Sequence, residues 1–281
     1  WYQHILGTNE SLFPWMDEGF TSYAEEAITY YYNANFAATS PYISDAAKKR
    51  ILAANEKEIA NPKLPLVQTA NYMGYLGLAK SGLEEPMSTH SDHYNTNYAY
   101  SSAAYSKGGT FLGVLGYIVG DSVRDKVLIN YYNTWKFKHP NANDFTRVAE
   151  KTSGLQLQWL KEYWMNSTKT IDYGLNDIQA GTNTAIISIQ RIGKMPMPIE
   201  VLVTYKDGTS ELHYMPLDLM LGGKQQEGTV KQINHPEWKW AHPTYTFETT
   251  QPLNAIKSIE IDPSQRMPDI NRSNNKIEIP N

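Results

Sequence analysis

Two carboxylates stand out as residues whose type and spacing could do chemistry. Glu18 and Glu25 are seven residues apart in PWMDEGFTSYAEE. The neighbouring apolar residues Phe20, Tyr23, Ala27 and Tyr31 recur at helical spacing and predict one apolar face. On that helix both carboxylates project from the opposite side. At about 1.5 Å of rise per residue they are roughly 10 Å apart along the axis, too far for both to ligate one metal. One can be a ligand while the other orients a ligand carried by a different helix. A solvated polar face accounts for the same spacing. Tyr105 lies in Tyr105-Ser106-Lys107-Gly108-Gly109. A phenol with an unperturbed pKa of about 10 stays protonated at neutral pH and can donate to an oxyanion. In a chain with 20 tyrosines, core packing is the ordinary alternative.

Other chemistries find less support. His90-Ser-Asp-His93 offers two imidazoles three apart, but its surroundings read as loop and no third ligand is near in sequence. That segment is better read as a loop over a cleft leading into Tyr105. His4, His139, His213, His235 and His242 are scattered, and three of them precede proline, as turn residues do. Cysteine is absent, which excludes disulfides, thiolate metal sites and cysteine nucleophiles. No Ser/His/Asp order, phosphate-binding glycine loop or dinucleotide fingerprint is present. The 25 basic and 29 acidic residues form no dense positive run, so nucleic acid is not an expected partner. Aromatic residues reach 12%, a composition that suits a peptide- or sugar-binding cleft. The longest apolar run, TFLGVLGYIVG, is short of the roughly 20 residues that span a bilayer.

The elements that must position these residues fall into two parts, as the length of 281 residues allows. Residues 1–172 read mainly helical, with helices expected after Glu18 and over 45–60, 107–119, 122–138, 143–153 and 155–166. Asn143 or Asp144 can cap the 143–153 helix, and Gly154 stands where a left-handed stop is expected. Residues 61–104 are rich in Pro, Gly, Asn, Ser and Tyr and predict loops with short helical pieces. Gly109, Gly113, Gly116 and Gly120 make a stripe down one helix face. At about 1 kcal/mol per glycine, the stripe predicts another backbone packed close against it. From about 176, TAIISIQR, IEVLVTYK, SELHYMPL and IKSIEIDP are β-branched runs bounded by turn residues. Asp207-Gly208 between two of them is a hairpin signal, and the set predicts a small β-sandwich over 173–281.

The string WYQHILGTNESLFPWMDEGFTSYAEE resembles the zinc aminopeptidase family of aminopeptidase N, a gluzincin group. There a His-Glu-x-x-His helix is followed by a Trp-Phe/Tyr pair. With eighteen residues intervening after its second His comes the third zinc ligand, in a Trp-x-Asn/Asp-Glu-Gly-Phe segment. Counting back from Glu18 puts that His two positions before Trp1, so Trp1-Tyr2 matches the aromatic pair without a gap. Tyr105-Ser106-Lys107-Gly108 resembles the family's Tyr-x-Lys-Gly segment, and the later β-rich stretch resembles the β-domain of bacterial members. The expected fold is therefore α+β and multidomain: the helical remainder of a thermolysin-like catalytic domain, then a β-sandwich.

The resemblance implies that Glu18 is a zinc ligand, Glu25 a carboxylate holding a ligand imidazole by its other N–H, and Tyr105 the donor to the tetrahedral intermediate. Asp17 stands where Asn is more common and adds negative charge beside the metal. Neither zinc histidine, nor the general-base Glu, nor a Gly-x-Met-Glu-Asn type segment is in these 281 residues. The expectation is a C-terminal fragment of a bacterial zinc aminopeptidase acting on peptides through metal-activated water. Alone, it is expected to be inactive, with zinc absent or weakly held. A periplasmic or secreted location is what the bacterial resemblance implies. The alternative is a non-catalytic peptide- or glycan-binding module that keeps the fold.

Overall fold

The computed structural model of the chain describes residues 2–60 and 66–280. Trp1 of the aromatic pair and residues 61–65 of the expected loop region lie outside the described residues. Packing divides the chain into two compact units, Trp1–Gly113 with Trp135–Ala142, and Val114–Thr134 with Asn143–Asn281. The change from helix to strand comes between Met165 and Tyr173, so it does not coincide with the division between the units.

The first unit contains α1 (Tyr2–Ile5), α2 (Pro14–Asn35), α3 (Asp45–Ala60), α4 (Thr69–Ser81), α5 (Asn97–Ser101) and the start of α6 (Gly108–Val119). Pro14 opens α2, where its fixed φ suits the first helical position and its missing N–H costs nothing. Trp15, Met16, Phe20 and Tyr23 are buried, and Trp15 meets Phe20 and Phe111 edge-on at centroid distances of 6.0 and 5.5 Å. The expected apolar face stops there: Ala27 is half-buried and Tyr31 is 60% exposed. A second departure is α4. Its two glycines and loop-like surroundings disguise a 13-residue helix, which ends at Gly82 in the left-handed region (φ 73°). Burial of Tyr72, Tyr75 and Leu78 outweighs the roughly 1 kcal/mol that each glycine costs a helix. Gly74 is needed because a Cβ there would run into the Ser106 side chain.

The second unit carries α7 (Asp121–Trp135), most of α8 (Ala142–Ser153), α9 (Gln158–Leu160) with a π-helical turn at Lys161–Met165, and the strands. Because α8 begins at Ala142, Asn143 and Asp144 sit inside its first turn and do not cap it; Asn143 instead accepts a hydrogen bond from Lys161 Nζ at 2.9 Å. Gly154 follows α8 with φ 75°, as expected. The β-rich region is present as two sheets. One is antiparallel, β1 (Tyr173–Ala180), β2 (Ala185–Arg191) and β6 (Thr244–Glu248), in that order. The other runs in the order β5 (Lys231–Asn234), β4 (Ser210–Met215), β3 (Ile199–Tyr205), β7 (Ile256–Ile261) and β8 (Lys276–Glu278). The β3–β4 turn is the expected hairpin: Gly208 has φ 86°, and Asp207 accepts from the Thr209 N–H at 2.9 Å. The sequence patterning marks β2, β3, β4 and β7. β5 and β8, of four and three residues, are too short for alternation to show.

Buried ions brace this unit. Lys224 Nζ lies 2.8 Å from both Glu200 and Glu227, and Arg266 joins Glu227 at 2.7 Å to Asp121 at 3.0 Å. Histidines read as scattered also meet here. Glu211 contacts His213 Nε2 at 2.9 Å, and His213 Nδ1 contacts His235 Nε2 at 2.7 Å, forming one buried chain. Among the described residues no helix is long and apolar enough to cross a membrane.

Candidate active site

Glu18 and Tyr105 reach each other because two helix backbones cross at glycine. A Cβ built on Gly19 would lie 2.6 Å from the backbone of Gly108, and one on Gly108 would lie 2.8 Å from the Cα of Gly19. Only glycine permits that approach. Each glycine adjoins a chemical residue: Gly19 directly follows Glu18, and Gly108 is three positions after Tyr105. The close backbone contact expected for the stripe at Gly109, Gly113, Gly116 and Gly120 is thus one residue earlier. At Gly109 and Gly113 a Cβ would meet the Asn71 and Tyr72 side chains of α4, at 2.5 and 2.6 Å. Gly120, with φ 92°, terminates α6.

Tyr105 sits on a π-helical turn, Ser102–Lys107, inserted between α5 and α6. Such turns shift the helical register locally and are frequent at functional sites. The Glu18 carboxylate beside the Tyr105 phenol, together with burial, pushes the phenol's pKa up to about 12. The phenol therefore stays a donor at every physiological pH. It remains 42% exposed, so an incoming group can reach it. Glu18 also accepts from Gln3 Nε2 at 3.2 Å.

Three further residues converge here that the sequence did not single out for this role. Asp17, almost fully buried, has its pKa pushed up to about 6 by burial, by the Glu10 and Glu18 charges and by a hydrogen bond shared with Glu10, with Gln3 opposing. Tyr100 is raised by burial and then by the charges of Glu18, Glu10, Asp17 and Asp92. Among the described residues none of Glu10, Asp17 and Glu18 forms an ion pair with a lysine or arginine. A position-by-position reading does not find Glu10 or Tyr100, because nothing in their spacing connects them to Glu18 before the chain folds.

Lys107 has a different office from Tyr105. It is 1% exposed and pairs with Glu84 at 2.7 Å, with its ammonium 5.9 Å from the Tyr75 ring centre. Burial lowers its pKa and Glu84 opposes the shift. The lysine thus anchors the π-turn to the segment after α4. Glu25 is not brought to Glu18. It is exposed and lines a cleft of about 510 Å³ with Ser22, Thr29, Asn71 and Met73. Its neighbour Glu26 instead caps α4, accepting the N–H groups of Ala70 and Asn71 at 3.2 and 2.6 Å. His90 and His93 stand with ring centres 4.9 Å apart on a single 3-10 turn. Ser91 ties that turn to the Ser11 carbonyl.

A catalytic zinc takes three protein ligands. Among the described residues no group of three or more His, Cys, Asp or Glu is arranged to hold a metal ion. Glu18 fits one ligand position: a half-buried carboxylate beside a phenol, with no lysine or arginine partner among the described residues. The described residues do not build the whole site.

The chain belongs to peptidase family M1, whose domain model matches residues 13–164, a span that holds both Glu18 and Tyr105. Among solved structures it is similar in fold to aminopeptidase A of Legionella pneumophila, crystallised in complex with aspartic acid. The TM-score is 0.51 at 12% identity over 93% of this chain and 24% of that one. The chain therefore spans about a quarter of the length of that structure. No curated protein matches it.

Proposed function

We propose that this chain is part of a zinc aminopeptidase that hydrolyses peptides from the amino end, with Glu18 as one metal ligand and Tyr105 as the donor to the oxyanion. The observation that carries the reading is the close Gly19–Gly108 crossing, which brings the Tyr105 phenol beside the Glu18 carboxylate. Zinc, when bound, supplies a Lewis acid that polarises the scissile carbonyl and acidifies water. Glu18 would hold it through the carboxylate, and Gln3 fixes the orientation of that carboxylate. Tyr105, kept protonated, would turn its hydroxyl from Glu18 to the carbonyl oxygen as negative charge develops there. Lys107, through Glu84, holds the π-turn that aims the phenol. For Glu25 the reading is a carboxylate that holds a ligand imidazole contributed from outside these residues.

With one ligand of three, the 281-residue chain by itself should neither retain zinc nor turn over peptides. Turnover of aminoacyl-nitroanilides by this chain alone, abolished by a chelator, would overturn that. In the zinc-loaded enzyme that includes this chain, Tyr105→Phe should lower kcat about 100- to 1000-fold with zinc content unchanged. An unchanged kcat removes Tyr105 from the mechanism.

A further inference from the structure

Three titratable side chains in the second unit take no part in that chemistry: Glu211 and His213 on β4, and His235 directly after β5. Glu211 and His213 are buried, and His235 is half-buried. Glu211 accepts from the Tyr205 hydroxyl, from the Thr250 N–H at 3.0 Å and from the Thr250 hydroxyl at 2.5 Å. His213 Nε2 lies 2.9 Å from the same carboxylate, so that ring nitrogen carries a hydrogen. Burial pushes the Glu211 carboxyl up, but the His213, Thr250 and Tyr205 donors outweigh it and bring its pKa to about 2. It therefore stays a carboxylate well into acid.

The other nitrogen of His213 sets the constraint. Its Nδ1 lies 2.7 Å from His235 Nε2, a distance at which one nitrogen must donate and the other accept. With both imidazoles neutral, His235 donates to His213. With one imidazole charged, a single hydrogen still occupies the gap and the bond persists. With both charged, two N–H groups meet head-on beside two like charges, and the bond is lost. The charges that act on His235 are those of His213 and Glu211. From β6 the uncharged Phe247 packs on both imidazoles, with ring centres 4.5 Å from His213 and 5.2 Å from His235. From β3 comes Tyr205, which burial and Glu211 keep neutral by pushing its pKa up to about 12.

β5 is the strand that this bond holds. It is four residues long and stands at the edge of its sheet, paired with β4. The chain is pinned on either side of it: Gln226 Nε2 donates to the Val230 carbonyl at 2.9 Å, and the Tyr245 hydroxyl donates to the Pro236 carbonyl at 2.8 Å. We propose that the His213–His235 pair is an acid-operated latch, which keeps β5 on β4 while at most one imidazole is charged and releases residues 231–235 when both are. Release leaves the outer edge of β4 as an unpaired strand. Burial and then the His213 charge hold the His235 pKa down at about 4, with Glu211 opposing, against 6.5 for an ordinary imidazole. The latch is therefore complete above about pH 6.5 and is lost as pH falls to about 4.

The test is amide hydrogen exchange of the full chain, read residue by residue by NMR and corrected for the intrinsic rate at each pH. Protection of the 231–235 amides should fall about tenfold or more between pH 6.5 and 4, while β3 and β7 keep theirs. His235→Gln has a side chain that stays uncharged and can still donate to His213, so it should hold β5 closed at pH 4. The His235 ring resonances of the wild-type chain should titrate near pH 4. Undiminished protection of β5 at pH 4 overturns the latch. So does a loss that β3 and β7 share equally, or one that His235→Gln reproduces. If that variant does not fold, the ring titration decides: a His235 step at the ordinary 6.5 overturns the latch, and a step near 4 upholds it.

Discussion

Carboxylates cluster in both units, and the two clusters are arranged in opposite ways. In the second unit Glu200, Glu227 and Asp121 are matched by Lys224 and Arg266, with Nζ or guanidinium nitrogens at 2.7–3.0 Å. In the first unit Glu10, Asp17 and Glu18 crowd together beside Gln3 and tyrosines, and none of the three forms an ion pair with a lysine or arginine among the described residues. Among the matched acids Glu227 is driven down: burial pushes it up, but Arg266 and Lys224 outweigh burial and bring its pKa to about 2. In the unmatched cluster Asp17 is driven up, to about 6. The contrast separates charge that holds a fold from charge held in reserve for a ligand. A carboxylate already neutralised by a buried cation gains little charge stabilisation from a metal, whereas a crowded, unpaired set gains by meeting one.

The largest effect should come from breaking the matched set. Lys224→Met leaves Glu200 and Glu227 buried without their shared cation, and should cost about 3–5 kcal/mol in urea unfolding of the chain. A cost below about 1 kcal/mol would mean that Arg266 alone neutralises the cluster. Acid should act on the same set. Glu227 has a folded pKa below its unfolded value of 4.5, so its contribution is complete above about pH 4.5 and is lost as pH falls towards 2. The Tm of the chain should therefore fall between pH 5 and pH 3, and Glu227→Gln should flatten that slope. An equally steep fall in the variant assigns the acid sensitivity elsewhere.

Next in size is the crossing that presents the unmatched set to Tyr105. Gly19→Ala puts a methyl about 2.6 Å from the Gly108 backbone and should destabilise the chain by about 1–3 kcal/mol. It should also separate Glu18 from Tyr105, seen as a lowered Tyr105 pKa in an ultraviolet or NMR titration. Retention of the raised value would show that the proximity of the two residues does not depend on the crossing. The smallest effect is expected from Asp17→Asn, which removes one of three like charges. It should stabilise the metal-free chain by about 0.5–1 kcal/mol at pH 7, where a loss would show that Asp17 is needed for the hydrogen bonds it makes.

Glu18 and Tyr105 could be nominated from the sequence because each sits in a short string with a glycine beside it or three residues on, and such strings can be recognised without a structure. The hairpin at Asp207-Gly208 and the stop at Gly154 were legible for a local reason: left-handed backbone calls for glycine whatever surrounds it. Helix α4 was not legible. Its stability comes from Tyr72, Tyr75 and Leu78 burying against partners distant in sequence, and its glycines, read locally, argue for a loop. The cluster around Glu18 was half legible. Glu10 lies eight residues upstream and Tyr100 eighty-two downstream, and no periodicity links either to the acid they surround.

The sequence alone determined which chemistries this protein can use. A chain without cysteine, without a basic run and with a Glu-Gly-Phe and Tyr-x-Lys-Gly pair carries the carboxylate and phenol on which the proposed reading rests, since donor chemistry is a property of side chains. Tertiary structure decided where those donors point and what they meet. It set Tyr105 on a π-turn against Glu18, sent Lys107 inward to Glu84 and left Glu25 on an exposed face. It also put His213 beside His235, 22 residues later in the chain. The physical reason is that proximity between distant residues is produced by backbone crossings and burial, which a linear string of residues does not contain.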